Sequence, residues 1–231
     1  MVAAFREKGV ENLNIDLMYG LPGQTEPGIE KNVRRTVSLA PDRVALFGYA
    51  HVPWFKAHQK LIPEAELPDA AARLGQFLAA ARCLEAAGYR WIGLDHFARQ
   101  ADGLARAEAA GRLRRNFQGY TDDAAGALID FGASAISGLP QGYVQNEAHT
   151  PAYNAVIDAV GLAAARGVCL GVEDMLRRRI IECLMCSFSV DLDGVCRGTM
   201  FSPRDLAAEY ERLEPLRRDG LIEITDGQID T

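Results

Sequence analysis

The sequence predicts an α/β fold: a parallel sheet in its earlier part, followed by a mostly helical remainder. Three observations carry this. Residues 12–18 alternate apolar and polar at Leu13, Ile15 and Leu17, the two-residue period of a strand. Residues 43–49 hold a nearly continuous apolar run, Val44-Ala45-Leu46-Phe47, which suits a strand buried on both faces. Between them lies a stretch with helical periodicity at Ile29, Val33 and Val37, so strand, helix and strand form one βαβ unit.

Taken in order, the first strand ends in Tyr19-Gly20-Leu21-Pro22-Gly23, where glycine and proline enforce a turn. The helix after it starts near Glu26, with Thr25 placed to cap it and Pro27 in its first turn. Pro41-Asp42 stops it. Residues 54–67 are irregular and polar. Asp69 then caps the clearest helix, whose stripe is Ala70, Leu74, Phe77, Leu78, Ala81 and Leu84, and Gly88 ends it. Residues 89–94 read as a third strand that delivers Asp95 and His96 at its C-terminal end, where ligands sit in α/β sheets and barrels.

From Asp95 to Thr121 a polar, alanine-rich helical segment joins two aromatic ends, Asp95-His96-Phe97-Ala98-Arg99 and Arg115-Asn116-Phe117-Gln118-Gly119-Tyr120-Thr121. Rings give area, while amides and charges give orientation, a mix that suits either a pocket wall or an anchored loop. Small-residue segments follow around Gly132, then a strand at 143–146 and helices at 151–165 and 173–186. The last helix opens Ser202-Pro203-Arg204-Asp205, a cap with proline at the first helical position and an acid three residues on. A hairpin starts at 221–224 with Asp226-Gly227 as its turn, so the end of the chain reads as winged-helix-like. The first dozen residues hold no complete element and the last strand is barely begun, so a segment of a longer chain is expected.

Composition narrows the function. The net charge of −6 argues against nucleic acid as the main partner, although Arg112, Arg114 and Arg115 leave room for a locally basic pocket. Five cysteines form no disulfide framework, which points to a reducing compartment, and no apolar run reaches the length of a membrane span. A cytoplasmic protein without a membrane partner is the expectation. Cys183-Leu184-Met185-Cys186 lies within a predicted helix and has no second pair or histidine cluster, so it reads as core cysteines, and no metal ligands are assigned. His51 and His96 each follow a predicted strand and suit either a pocket or plain hydrogen bonding. Asp16, inside Ile15-Asp16-Leu17, faces either solvent or a closed site, because an unpaired buried carboxylate is very costly. No G-x-G-x-x-G or P-loop motif occurs.

Several stretches together resemble one family. The strand and turn from Asn14 to Thr25 are similar to those shared by radical S-adenosylmethionine enzymes of porphyrin metabolism. Phe47-Gly48-Tyr49-Ala50-His51-Val52-Pro53, Gly93-Leu94-Asp95-His96-Phe97-Ala98-Arg99, the segment from Arg115 to Thr121 and Gly132-Ala133-Ser134-Ala135-Ile136-Ser137 resemble the oxygen-independent coproporphyrinogen III oxidase (dehydrogenase). Haem-chaperone relatives share the Tyr-Gly-Leu-Pro turn. They typically carry a His-Asn-Leu-x-Tyr-Trp type segment where this chain has Arg115-Asn116-Phe117-Gln118-Gly119-Tyr120.

The resemblance implies an oxidoreductase of haem biosynthesis that converts coproporphyrinogen III to protoporphyrinogen IX by anaerobic oxidative decarboxylation of two propionates. It implies a [4Fe–4S] cluster that reduces S-adenosylmethionine, two bound molecules of the latter, and hydrogen abstraction from the propionate β-carbon by a 5′-deoxyadenosyl radical. Carried over by motif, Asp16 and Ala50 contact the second S-adenosylmethionine. Gln118 and Ile136 line the pocket of the cluster-bound one, with Phe117 beside them. No catalytic residue is assigned; tyrosines and arginines around Tyr120 are candidates for the tetrapyrrole carboxylates.

The implied fold is the C-terminal part of an incomplete (β/α)6 barrel over residues 1–150 and a helical C-terminal domain over 151–231. The complete protein is expected to be monomeric, with external electron donor and acceptor unspecified. The family's Cys-x3-Cys-x2-Cys motif is nowhere in the chain, so its cluster ligands are expected upstream, and these residues alone are expected to hold no cluster and to be inactive. A barrel opened in this way exposes a parallel strand edge and the apolar face of its helices, so marginal solubility or self-association is expected. The alternative reading is a haem-binding or haem-delivery protein of the haem-chaperone type.

Overall fold

The computed structural model describes residues Met1–Thr231, which divide into two compact units, Met1–Gly111 and Arg112–Thr231. This boundary of compactness precedes the expected division at residues 150 and 151.

The first unit opens with a short helix α1 (Val2–Glu7), so the first dozen residues do hold an element. Strand β1 (Asn14–Tyr19), helix α2 (Glu26–Ser38) and strand β2 (Arg43–Gly48) form the expected unit, with β1 and β2 parallel and Asp16 opposite Ala45. Thr25 caps α2 by accepting from the Gly28 N–H at 3.3 Å, and Asp69 caps α3 (Ala70–Ala86) by accepting from Ala72 at 2.8 Å. The two helices and the sheet close on one core: Ile29 and Val33, Val44 and Leu46, Ala80, Ala81 and Leu84, with Tyr89 and Phe97. Fully burying an aliphatic side chain of this kind is worth roughly 1.5–3 kcal/mol.

The third strand departs from expectation. β3 (Tyr89–Ile92) turns at Gly93, whose φ is +58°, into a further strand β4 (His96–Arg99). The sheet order is β1-β2-β4-β3, with β4 antiparallel to both neighbours, so the sheet is mixed rather than parallel. The reason is burial: His96, Phe97 and Ala98 are all buried, whereas Arg90 and Trp91 of β3 are exposed, so the second arm of the hairpin takes the interior position. Helix α4 (Gly103–Ala109) follows. Its cap Asp102 is buried and accepts from both Leu104 N–H (2.7 Å) and the Arg43 guanidinium (2.9 Å), tying the start of β2 to the helix.

The second unit begins with the hairpin β5 (Arg114–Asn116) and β6 (Gly119–Thr121). An antiparallel sheet follows, made of β7 (Ile136–Leu139), β8 (Gly142–Asn146) and β9 (Ala164–Cys169), with α5 (Thr150–Val160) between the last two. The helix expected over 151–165 therefore ends early. Gly161 at φ +79° forms a left-handed C-cap, and the chain leaves as a strand. Helix α6 (Val172–Ser187), strand β10 (Ser189–Asp191), α7 (Leu192–Cys196), α8 (Ala207–Arg218) and the hairpin β11 (Glu223–Thr225) and β12 (Gln228–Asp230) complete the unit. β12 is not a stub: it lies between β10 and β11 and pairs with both. Leu176, Val190, Leu192, Val195, Leu206 and Ile229 form this unit's core. No helix is long and apolar enough to cross a membrane.

Candidate functional site

In the first unit the C-terminal ends of the two parallel strands frame a depression of about 630 Å³ lined by Tyr19, Gly48, Arg73, Phe77, Leu94 and Asp95 among others. This is the position where open α/β sheets hold ligands. The Tyr19–Gln24 turn is fixed from below. Buried Gln76 accepts from Gly20 N–H at 2.9 Å and donates to Gln24 C=O at 2.7 Å, while the Gln24 amide donates to Met18 C=O at 3.1 Å. Arg73 sits over the Tyr19 ring, 5.9 Å from its centroid, and donates to Tyr49 C=O at 2.8 Å. Gly48 permits that approach, since a Cβ there would come within 2.9 Å of the Arg73 guanidinium. His96 Nδ1 lies 2.7 Å from Asp95 Oδ1, an arrangement that suits a protonated Nδ1 donating to the carboxylate. Contrary to the reading of His96 as a residue after a strand, it is the first residue of β4.

Asp16 is exposed, on the face of β1 that carries Asn14 and Met18, and accepts from the Asn14 side-chain amide at 2.7 Å. A strand buried on both faces describes β2 but not β1, because β1 is an edge strand whose burial alternates. Ala50 is exposed too, and its carbonyl accepts from Gln59 Nε2 at 3.0 Å, leaving one lone pair. Neither residue lines the depression beside Tyr19.

In the second unit a groove of about 680 Å³ runs between the β5–β6 hairpin, Tyr143 of β8 and one face of α6. Phe117 lines it, 56% exposed, and meets Tyr143 edge-on with ring centroids 5.0 Å apart and an interplanar angle of 90°. Gln118 stands outside the groove lining. Its backbone N–H donates to Asn116 Oδ1 at 2.8 Å and its side-chain amide to Asp130 at 3.0 Å. The Asp130 N–H donates to Ser137 Oγ at 3.1 Å, so Gln118 is connected through one residue to the neighbour of Ile136. Ile136, half-buried in β7 opposite Gln145, is also outside the groove lining. Tyr120 is buried, donates to Met185 C=O at 2.8 Å, and carries the Arg115 guanidinium over its ring at 5.5 Å.

Several contributors escaped the sequence reading. Arg177 and Arg178 belong to no motif singled out in the sequence, yet both line the groove, and Arg178 sits over the Tyr143 ring at 5.2 Å. The available signal was spacing: Asp174, Arg178, Ile181, Glu182 and Met185 fall on one helical face and all line the groove. Arg73 and Gln76 lie outside the apolar stripe of their helix, with nothing in the sequence to separate them from ordinary polar neighbours.

The cysteines do not make a metal centre. Cys186 is buried, and burial above all pushes its thiol up to about 11; Cys183 is raised for the same reason. A thiol in that state is a poor ligand, and no group of three metal-binding side chains gathers anywhere. The residues present therefore do not fit an iron–sulfur cluster.

No protein-family model matches the chain. It is 49% identical over 224 residues, 97% of its length and 50% of the relative's, to an oxygen-independent coproporphyrinogen III oxidase of Bradyrhizobium diazoefficiens. It is 40% identical over 223 residues, 96% of its length and 49% of the relative's, to the enzyme of the same name from Salmonella typhimurium. Among solved structures, coproporphyrinogen III oxidase from Escherichia coli, described as a radical SAM enzyme, matches with a TM-score of 0.90 at 37% identity, covering all of this chain and 53% of that one. The chain spans about half the length of the curated relatives it matches. With that identity sustained across nearly all of its residues, and with a matching fold, the chain belongs to the oxygen-independent coproporphyrinogen III oxidase family.

Proposed function

We propose that these residues serve an anaerobic coproporphyrinogen III oxidase, acting within a longer polypeptide that decarboxylates two propionates of coproporphyrinogen III to give protoporphyrinogen IX. The observation that carries this is the match over the whole chain, at 37% identity and a TM-score of 0.90, to a coproporphyrinogen III oxidase. In this reading residues 1–150 belong to an incomplete (β/α)6 barrel and carry the active-site segments. Residues 151–231 form the C-terminal domain, ending in a winged-helix-like set of α6, α7, α8 and the sheet β10-β12-β11. The sheet has β1 at its edge, open to a further strand, and a barrel closed through that strand would cover the face of β1 that carries Asp16.

S-adenosylmethionine, when bound, supplies the hydrogen-abstracting chemistry. The chain's own residues hold and orient it. The Asp16 carboxylate can accept from ribose hydroxyls or an ammonium group, and the open lone pair on Ala50 C=O can accept one more hydrogen bond. The Phe117 ring gives an exposed apolar edge, the Gln118 amide is held in place by Asp130, and Ile136 offers apolar contact to adenine. Two such molecules, cluster ligands outside these residues, a tetrapyrrole substrate and a cytoplasmic, monomeric complete protein are parts of the same proposal.

A chimera joining this chain to the half of the Bradyrhizobium relative that it does not match tests the site. Asp16→Ala and Phe117→Ala are each expected to lower anaerobic S-adenosylmethionine cleavage at least tenfold. Rates equal to the parent chimera's would overturn the assignment.

A further inference from the structure

We propose that Arg115 and Arg178 form a paired carboxylate clamp in the groove of the second unit, and that its occupant is a flat ligand bearing at least two carboxylates. Four arginines line the groove: Arg114, Arg115, Arg177 and Arg178. Two are engaged elsewhere. Arg114 pairs with Glu182 at 3.3 Å, and Arg177 pairs with Glu173 and Glu209, each at 2.7 Å. The side chains of Arg115 and Arg178 make no ion pair and donate no hydrogen bond within the protein; they lie over aromatic rings, Tyr120 at 5.5 Å and Tyr143 at 5.2 Å. A ring contact leaves the in-plane N–H fork open, and that fork matches a carboxylate with two parallel hydrogen bonds.

The competing charges are already occupied. Asp174 accepts from Gly171 N–H at 2.9 Å, Asp123 from Ala125 N–H at 2.8 Å, and Glu182 holds Arg114. These carboxylates keep the net field of the groove low, so recognition comes from directional donors rather than bulk charge. The Phe117–Tyr143 pair supplies the apolar wall against which a planar body would lie, and about 680 Å³ is within the range of small-molecule pockets. The pairing deepens the proposed function, on which the identity of the occupant rests: the two anchors would hold propionates of the tetrapyrrole.

The test titrates the 231-residue chain with coproporphyrin III, the stable aromatic tetracarboxylate, following its Soret band. Its tetramethyl ester and benzene-1,3,5-tricarboxylate serve as comparators. Arg115→Lys and Arg178→Lys keep the charge but lose the fork, and each is expected to raise Kd about tenfold, equivalent to about 1.4 kcal/mol. The ester is expected to bind at least tenfold more weakly than the acid, and Arg179→Lys, on the same helix but outside the groove, to change nothing. Equal binding of acid and ester, or unchanged Kd in the Arg115→Gln/Arg178→Gln double variant, overturns the clamp. Arginine-dependent binding of the tricarboxylate without binding of the porphyrin keeps the clamp and overturns the tetrapyrrole as its occupant. Binding of neither compound overturns the clamp as well.

Discussion

The side-chain amide of Gln76, 1% exposed, accepts the Gly20 backbone N–H at 2.9 Å and so fixes the turn that follows β1. The same amide donates to Gln24 C=O at 2.7 Å. Replacing it with leucine, which fills similar space without polar atoms, strands both backbone groups. Stability is expected to fall by about 1–3 kcal/mol, the cost of an unsatisfied buried group. Urea unfolding at constant m checks this, and a loss below about 0.5 kcal/mol would mean that the turn does not depend on Gln76.

Gly142 opens β8 at φ +152°, and a Cβ built there would run into the Val168 carbonyl oxygen of β9. Gly142→Ala must therefore move backbone, since no side-chain rotation relieves the contact. A loss of about 1–3 kcal/mol is expected, whereas Gly126→Ala, with open space around its Cβ, should stay within about 0.5 kcal/mol. Thermal melts of the two variants side by side distinguish a local clash from a general intolerance of added methyls.

Cys186 and Cys169 should differ sharply in reactivity. Burial raises the Cys186 thiol to about 11, whereas Cys169 is exposed on β9. At pH 8 only about one Cys186 in a thousand is thiolate, the reactive form. Iodoacetamide on the native chain, followed by peptide mass spectrometry, should label Cys169 at least tenfold faster. Equal rates would place Cys186 in an open environment.

The Ser202–Asp205 box gives a pH-dependent contribution. Asp205 accepts from the Ser202 N–H at 2.7 Å and hydroxyl at 2.9 Å, and these bonds hold its carboxyl below the ordinary value. A depressed folded-state pKa contributes stability that is present above the unfolded value, about 3.9, and is lost as pH falls through the folded value. Asp205→Asn should therefore lower Tm near neutral pH, with the gap to the native chain closing in acid below about pH 4. A gap that stays constant down to pH 2 would show that the carboxylate's charge contributes nothing.

What the sequence made legible followed physical strength of signal. The βαβ unit was readable because its strands and helix have long, distinct periods, and the caps Thr25 and Asp69 were readable because capping chemistry is local. β4 was missed because four residues, His96 to Arg99, carry no alternation; only their burial against β2 makes them a strand. β9 was missed because Leu162-Ala163-Ala164 reads as helix, and one left-handed glycine, Gly161, decides otherwise. The site divided in the same way. Phe117 stands in a groove of the second unit, while Arg178 gains meaning only from Tyr143, distant in sequence. Asp16 kept its strand but faces solvent on an edge, which no local pattern could decide.

The most direct measurement is anaerobic turnover by the chimera of this chain with the unmatched half of the Bradyrhizobium relative. Coproporphyrinogen III, S-adenosylmethionine and a reductant are supplied, and products are separated after oxidation to porphyrins. Formation of protoporphyrin above the level given by either half alone is the expected result. A chimera that folds and carries its cluster but leaves coproporphyrinogen unchanged, beside an active native relative, would contradict the proposed function.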